Sequence, residues 1–349
     1  MPNDFKGMTL VQNTKSVFPS KIPFICVMQN AVQLSFVVPL FNEAKNLEAL
    51  QHRLTQLLNL LPEKAEVILV DDGSKDETSQ KIYQLALSDP RFFAVFLSRN
   101  HGHQLAITAG LKMARATEAV LILDGDLQDP PELIQDFLAK LRQGYEVVYG
   151  IRTNRKEPWY KRLAYYSFYR IMRQFGNIDL PADSGDFALL SRKVVDYLNL
   201  LPEQNRYLRG MRAWIGFKQI GIAYERQERH AGDSKYTLKR LIELAYSGLF
   251  NFSSFPIKFI TRLGVITILI SLSYLVYVLI SKFVYGNVPT GFTALLMAII
   301  LFSGVQLISL GIIGEYVLRI YQQSQQRPLF IIDKVVKDGK LINGQELLH

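Results

Sequence analysis

Between Leu34 and Gly150 the chain alternates short apolar runs with longer amphipathic stretches. The runs 34–40, 66–70, 92–97, 119–123 and 146–149 have the length and composition of buried strands. The stretches 45–60, 77–88, 103–116 and 131–143 repeat apolar residues at helical spacing. This alternation predicts an α/β domain, a mostly parallel sheet covered by helices on both faces. Ligands of such sheets gather at the carboxyl ends of the strands. Polar residues stand at those ends here: Asn42-Glu43, Asp71-Asp72-Gly73-Ser74, Ser98-Arg99-Asn100, and Asp124-Gly125-Asp126. Packing alone does not explain four polar strand ends in succession, whereas one wall of a cleft does.

Past Gly150 the pattern loses its regularity, and 151–250 is rich in Tyr and Arg. Further on, 246–258 mixes Phe, Leu and Ser before Pro256, as expected of a helix lying in a membrane interface. Leu263–Ser281 and Phe292–Gly314 then run for 19 and 23 residues without a charge, each long enough to cross a bilayer. Lys258 and Arg262 flank the first run, and Arg319, Arg327, Lys334 and Lys337 follow the second. The positive-inside bias therefore predicts an integral membrane protein with two spans, the α/β domain and both termini cytoplasmic, and only 282–291 outside. The predicted organisation is a poorly ordered extension with no signal peptide (1–33), a cytoplasmic α/β domain (34–245), an interfacial helix (246–258), two membrane helices within 259–316, and a cytoplasmic tail (317–349).

Charge sharpens this picture. The 349 residues carry a net charge of +9, and 151–240 alone hold 18 basic against 9 acidic residues. A basic block beside membrane segments points to anionic lipid or a phosphorylated substrate. No recognised nucleic-acid module accompanies it. Cys26 is the only cysteine, which excludes an intrachain disulfide and thiolate metal clusters.

Within this frame the densest chemistry lies in Leu123-Asp124-Gly125-Asp126-Leu127-Gln128-Asp129-Pro130-Pro131-Glu132. Residues i and i+2 at a strand end point the same way, so Asp124 and Asp126 can aim at one point. With Gln128 they make a hard-oxygen set suited to Mg²⁺ or Mn²⁺, leaving positions for water and substrate phosphate. No G-x-G-x-x-G is present, so the dinucleotide fingerprint is absent. Asp71 and Asp72 suit a base edge or ribose hydroxyls, with helix capping as the alternative for Asp72 and Ser74. Downstream, Arg226, Arg229, Ser234 and Lys235 could clamp a diphosphate, against the alternative of a solvated basic loop.

Taken together, Val38-Pro39-Leu40-Phe41-Asn42-Glu43, Val70-Asp71-Asp72-Gly73-Ser74, Ser98-Arg99-Asn100 and the Asp124–Glu132 stretch resemble the family 2 inverting glycosyltransferases of GT-A fold. More narrowly they are similar to the polyprenyl-phosphate glycosyltransferases, the group of dolichol-phosphate mannose synthase and the bactoprenol glucosyltransferases. Ser234-Lys235-Tyr236 and the tail Gly311–Tyr316 with Arg327-Pro328-Leu329 resemble the bacterial two-span branch. The likeness covers about 34–335. His103 departs from it, since relatives carry Lys or Gln there, and Gln104 is the compensating candidate.

The resemblance implies that Pro39, Asn42, Glu43, Asp71, Asp72, Asn100 and Gln104 hold the nucleotide-sugar. It implies that Asp124, Asp126 and Gln128 surround the divalent metal. Asp183 and Asp186 become candidates for contacting the sugar or orienting the acceptor. Arg209, Arg226, Arg229, Ser234 and Lys235 become candidates for holding phosphate, with the division between donor and acceptor left open. The expected reaction moves a hexose, glucose first, from a UDP-sugar to polyprenyl phosphate. GDP-mannose and UDP-formamido-arabinose are alternative donors, and homo-oligomers could pack through the Gly-rich face of the second span. From another class, a non-catalytic sugar-nucleotide-sensing transporter or flippase competes. A processive polysaccharide synthase does not fit, because the Gln-x-x-Arg-Trp motif is missing.

Overall fold

The computed structural model describes residues 31–153, 184–225, 255–285 and 291–348. The expected 1–33 extension falls almost wholly outside these residues. So do Asp183, Arg226, Arg229, Ser234, Lys235 and 246–254.

The strands that the apolar runs predict are present nearly as read: β1 (Leu34–Leu40), β2 (Ala65–Asp71), β3 (Phe92–Leu97), β4 (Ala119–Ile122) and β5 (Val147–Thr153). Between them lie α1 (Leu47–Leu60), α2 (Thr78–Ser88), α3 (His103–Met113) and α4 (Ile134–Arg142). Further on come β6 (Ser184–Ser191), α5 (Arg192–Leu200), α6 (Leu208–Ile215) and β7 (Gln219–Glu225). The two long helices are α7 (Phe255–Tyr285) and α8 (Phe292–Ser324), followed by β8 (Ile332–Lys337) and β9 (Lys340–Asn343).

All nine strands form one mixed sheet in the order β7-β5-β6-β4-β1-β2-β3-β8-β9. β4, β1, β2 and β3 run parallel to one another, β6 pairs antiparallel with β4 and β5, and β8 pairs antiparallel with β3 and β9. Only β6 and β8 therefore run against the remaining strands, so the sheet is mostly parallel, as expected.

Side chains alternate between the two faces of each strand, which gives the sheet two cores. Phe36, Val38, Leu69 and Phe96 join Leu50 and Leu54 of α1, Ile82 of α2 and Phe137 of α4 on one side. Val37, Ile68, Val70 and Val95 join Ile107 of α3, Val194 and Val195 of α5 and Met211 of α6 on the other. Strands covered on both faces show near-continuous apolar runs, and β1, β3 and β4 are buried from end to end.

The register aligns the carboxyl ends. Leu40 lies beside Asp71, Asp71 beside Phe96, and Val37 beside Ile122. β6 enters at the same edge from the opposite direction, with Ala188 beside Ile122. Two further steps along an antiparallel pair lead to Asp124 on one side and Asp186 on the other. Two carboxylates 62 positions apart in sequence are thus brought level by register.

The tail read as a cytoplasmic appendage contains two strands of the sheet. β8 covers the edge of β3 and buries Val335 and Val336. Lys334 lies over the Phe96 ring, 5.0 Å from its centroid. An uncovered edge strand is a template for aggregation, and β8 removes that edge from β3. Of the expected interfacial segment, Phe255–Lys258 form the first turn of α7 itself. Both α7 and α8 are long and apolar enough to cross a membrane and bury almost nothing within the protein.

Candidate active site

The wall of the site begins where β1 and β2 end. The two following loops are laced together: the Asn42 N–H donates to Ser74 Oγ (3.0 Å), the Lys75 N–H to Asn42 Oδ1 (2.8 Å), the Glu43 N–H to Thr78 Oγ1 (2.9 Å) and the Ala44 N–H to Asp76 Oδ2 (3.2 Å). Asn42 sits at φ +54, a left-handed conformation that asparagine tolerates. The Glu43 carboxylate accepts from Asn46 Nδ2 at 2.7 Å. Pro39 lies buried within β1.

Asp71 and Asp72 are both buried and face inward to backbone. Asp71 accepts from the Ser74 N–H at 3.0 Å and from the Ser79 hydroxyl. The Asp72 carboxylate accepts from the His101 N–H (2.7 Å) and the Gly102 N–H (2.9 Å) at the start of α3. A carboxylate at a helix N-terminus satisfies donors that have no partner within the helix. Asp72 thus caps a helix, though it is α3, reached across the sheet, rather than α2. Burial pushes its carboxyl above the ordinary value in spite of the two amides.

Between these residues the chain passes through Gly73 at φ +67, where a Cβ would stand 2.5 Å from the Arg99 carbonyl carbon and 2.6 Å from the Asn100 nitrogen. Neither atom can retreat without moving the 98–102 loop. Gly73→Ala is therefore expected to cost about 1–3 kcal/mol in strain and to weaken donor-nucleotide binding severalfold. Calorimetric titration with UDP checks this, and unchanged affinity would show that the loop spacing is irrelevant to the nucleotide.

At the end of β4, Asp124 is half-buried and Asp126 buried. Asp126 Oδ1 accepts the Gln128 N–H at 3.2 Å, folding the loop back on itself, and Leu127 between them is forced to φ +63. Arg53 of α1 fixes this turn from outside, with a two-pronged contact to Glu132 (2.7 and 2.8 Å) and a bond to the Leu127 carbonyl (3.3 Å). From inside, fully buried Asp129 accepts from the Tyr224 hydroxyl, and Arg152 reaches the same hydroxyl at 3.2 Å.

Asp186, on β6, is the point where α3 and α6 meet the sheet. Its carboxylate receives both prongs of Arg209 from α6 (2.9 and 3.0 Å) and the Gln104 amide from α3 (3.1 Å). The other end of Gln104 accepts the Leu208 N–H at 3.0 Å. His103 Nε2 stands between Asp124 (3.5 Å) and Asp186 (3.6 Å). Burial alone would raise the Asp186 carboxyl, but Arg209 and His103 hold it well below the usual range. Burial likewise opposes charge on His103, yet Asp186 and Asp124 outweigh it and lift its pKa to about 9. Asp124 differs: burial and the neighbouring carboxylates raise it to about 6, His103 notwithstanding.

Asp124 Oδ1 is buried and accepts no hydrogen bond, its neighbour being the His103 ring nitrogen 3.5 Å away. A buried carboxylate oxygen left in this state is what a cation would satisfy. Among the described residues no three His, Cys, Asp or Glu side chains form a closed metal cage. Two carboxylates and the carboxamide of Gln128 fit an ion that keeps positions open for substrate phosphate.

The structure therefore brings Asp124, Asp126, Gln128, Asp186, Arg209 and Gln104 to one end of the sheet, with Asn42, Glu43 and exposed Asn100 on the adjoining loops. His103, Asp129, Arg152 and Tyr224 are added to that set. His103 was visible in the sequence only as a departure from pattern, and Asp129 as a member of the acidic motif. Nothing local in sequence signals Arg152 or Tyr224, which reach Asp129 through the parallel β5–β7 pair.

The chain belongs to glycosyl transferase family 2, whose sequence profile matches residues 35–198. It is 41% identical over 323 residues to the uncharacterized glycosyltransferase YkcC of Bacillus subtilis (strain 168), covering 92% of this chain and 100% of that one. It is 40% identical over 302 residues to the uncharacterized glycosyltransferase sll0501 of Synechocystis sp., covering 86% and 95%. Identity to the bactoprenol glucosyl transferase of Shigella phage SfV is 37% over 302 residues, covering 86% and 98%.

Proposed function

We propose that this glycosyltransferase moves a hexose, with glucose as first choice, from a UDP-sugar to polyprenyl phosphate at a membrane surface, inverting the anomeric carbon. The observation that carries the reading is the pairing, in one chain, of an acidic strand-end site with two long apolar helices that bury almost nothing against the other described residues. The relatives named bactoprenol glucosyl transferases, aligned over nearly their whole length, support the acceptor.

Asp124, Asp126 and Gln128 would hold Mg²⁺ or Mn²⁺. When bound, such an ion neutralises charge developing on the departing nucleoside diphosphate. The remaining work falls to positioning. A phosphate monoester is already anionic near neutral pH, so its oxygen can attack the anomeric carbon without a strong general base. The laced 42–46 and 71–79 loops form a fixed wall for the nucleoside. Asp186, held by Arg209 and Gln104, stands level with Asp124 and can face the sugar or the incoming phosphate. A long prenyl chain gains about 0.8 kcal/mol per CH₂ by staying in the bilayer, so the enzyme must come to the lipid. In this reading α7 and α8 cross the membrane as a hairpin with the catalytic domain in the cytoplasm, and Arg226, Arg229, Ser234 and Lys235 belong to the phosphate-holding set.

The test is transfer by purified protein in lipid nanodiscs containing undecaprenyl phosphate, with Mg²⁺ or Mn²⁺ and a panel of labelled UDP- and GDP-sugars. Label is expected to enter the organic phase from UDP-glucose and to be abolished by EDTA. Label from GDP-mannose or UDP-formamido-arabinose instead would change the donor alone. No transfer from any donor, with lipid and metal verified, would overturn the reading.

A further inference from the structure

At the foot of α8 two glutamines lock the helix to the catalytic domain. Gln323, in its last turn, uses both ends of its carboxamide on one short loop. Its Nε2 donates to the Pro202 carbonyl at 2.8 Å, and its Oε1 accepts the Gln204 N–H at 3.1 Å. Gln204 returns the contact, donating from Nε2 to the Arg327 carbonyl at 2.8 Å. Each glutamine thus binds the other's backbone segment. The loop is itself held from behind by Arg206, which donates to the Leu198 and Leu201 carbonyls at 2.9 and 2.8 Å.

Both sides of this clasp lead directly to functional parts. On the catalytic side, only a few residues separate Gln204 from the Leu208 N–H, bonded to Gln104, and from Arg209, bonded to Asp186. On the other side, α8 is one continuous helix from Phe292 to Ser324. From Gly314, where its uncharged run ends, to Gln323 the helix descends roughly 13 Å, which carries it about 5–8 Å past a headgroup layer itself about 5–8 Å thick. Beyond the clasp, the chain is fixed a second time where the Ser98 N–H donates to the Ile331 carbonyl at 2.9 Å. The helix that would sit in the bilayer is therefore hydrogen-bonded to the catalytic domain a few residues from the Arg209 that holds Asp186.

We propose that Gln323 and Gln204 are positioning residues that set the height of the site above the bilayer, so that Asp186 and Arg209 meet an acceptor phosphate anchored at headgroup depth. This rests on the function proposed above. A loosened clasp lets the domain ride at variable height, which penalises an acceptor fixed in the membrane and leaves one free in solution unaffected.

The experiment compares full-length wild type, Gln323→Ala and Gln204→Ala in nanodiscs, using undecaprenyl phosphate and the short, water-soluble citronellyl phosphate as acceptors. For the membrane acceptor KM is expected to rise about five- to tenfold, equivalent to roughly 1–1.4 kcal/mol, with kcat within about twofold. KM for the nucleotide-sugar and all constants for citronellyl phosphate are expected to stay unchanged. Equal losses with both acceptors would make the clasp a folding element only, and no change with either would make it incidental. Spin labels at Leu60→Cys and Leu318→Cys, in a Cys26→Ser background, supply a readout without turnover. Their distance distribution is expected to broaden in Gln323→Ala, and an unaltered distribution overturns the clasp. If wild type transfers to neither acceptor, the function reading is what fails, and this distance measurement still decides the clasp.

Discussion

Asp124→Asn is expected to lower transfer by about two to three orders of magnitude while the metal-free protein melts no earlier than wild type. Removing one preorganised electrostatic group from a polar transition state costs factors of this size, or roughly 3–4 kcal/mol. The thermal result has a separate cause. Asp124 is crowded by Asp126, Asp129 and Asp186, and its pKa of about 6 lies above the ordinary value. A raised carboxyl contributes stability that is complete below the unfolded pKa and is lost as pH rises through the folded one. At pH 7.5 the ionised group is thus a burden on the fold, which asparagine relieves. Wild type should gain Tm on adding Mn²⁺ with UDP, by mass action, and Asp124→Asn should gain little. Scanning calorimetry beside the transfer assay checks both, and a variant that keeps more than about a tenth of wild-type turnover would remove Asp124 from the metal set.

Asp186→Asn should behave in the opposite way on heating. Its carboxylate is nearly fully buried and collects Arg209, Gln104 and the nearby His103. Taking the charge away leaves a guanidinium facing a neutral amide, and breaking a buried pair costs about 3–5 kcal/mol. We expect the lower end, about 3 kcal/mol, because the Arg209 side chain keeps 21% of its surface exposed. Since Arg209 and His103 depress this carboxyl, its contribution is complete at neutral pH and is lost only on acidification below the ordinary carboxylate range. Transfer should fall by at least about 100-fold, because α3 and α6 lose their common anchor beside Asp124. A variant with unchanged Tm would refute the role of Asp186 as the point that ties these helices together.

The contrast between these two aspartates shows which parts of the site were legible in sequence. Asp124 and Asp126 could be read directly, because their function follows from period-2 geometry at the end of an apolar run. The strand β4 that carries them, and β1 to β3 beside it, were likewise legible as uninterrupted apolar segments. Asp186 could be flagged but not explained: its partners are 82 and 23 positions away and converge only through the antiparallel register of β6. That strand was itself hidden, since Ser184-Gly185-Asp186 reads as a turn and the buried Phe187–Leu190 is too short for periodicity to decide. β7 and β8 escaped for a related reason, as half-buried strands whose apolar residues meet only the far ends of the sheet. Asp72 was recognised as polar and well placed, yet its cap on α3 depends on loops 29 and 30 residues downstream. The motif shows that a carboxylate is needed at such a position, while only the fold shows which amides it holds.

The position of β8 also bears on how the molecule is built. The ribosome delivers β3 early and β8 only after both long apolar helices. The edge that β8 covers must therefore stay open throughout the synthesis of those helices and, in the proposed reading, their insertion into a membrane. Completing the sheet requires the end of α8 to lie on the same side as the catalytic domain, so under the proposed topology a chain in which only one of the two helices crossed would strand β8 across the bilayer from its partner. In that reading the nine-stranded sheet would double as a check on the insertion of the helices. Under that topology, only molecules in which both helices cross bring β8 to β3 and bury Val335 and Val336.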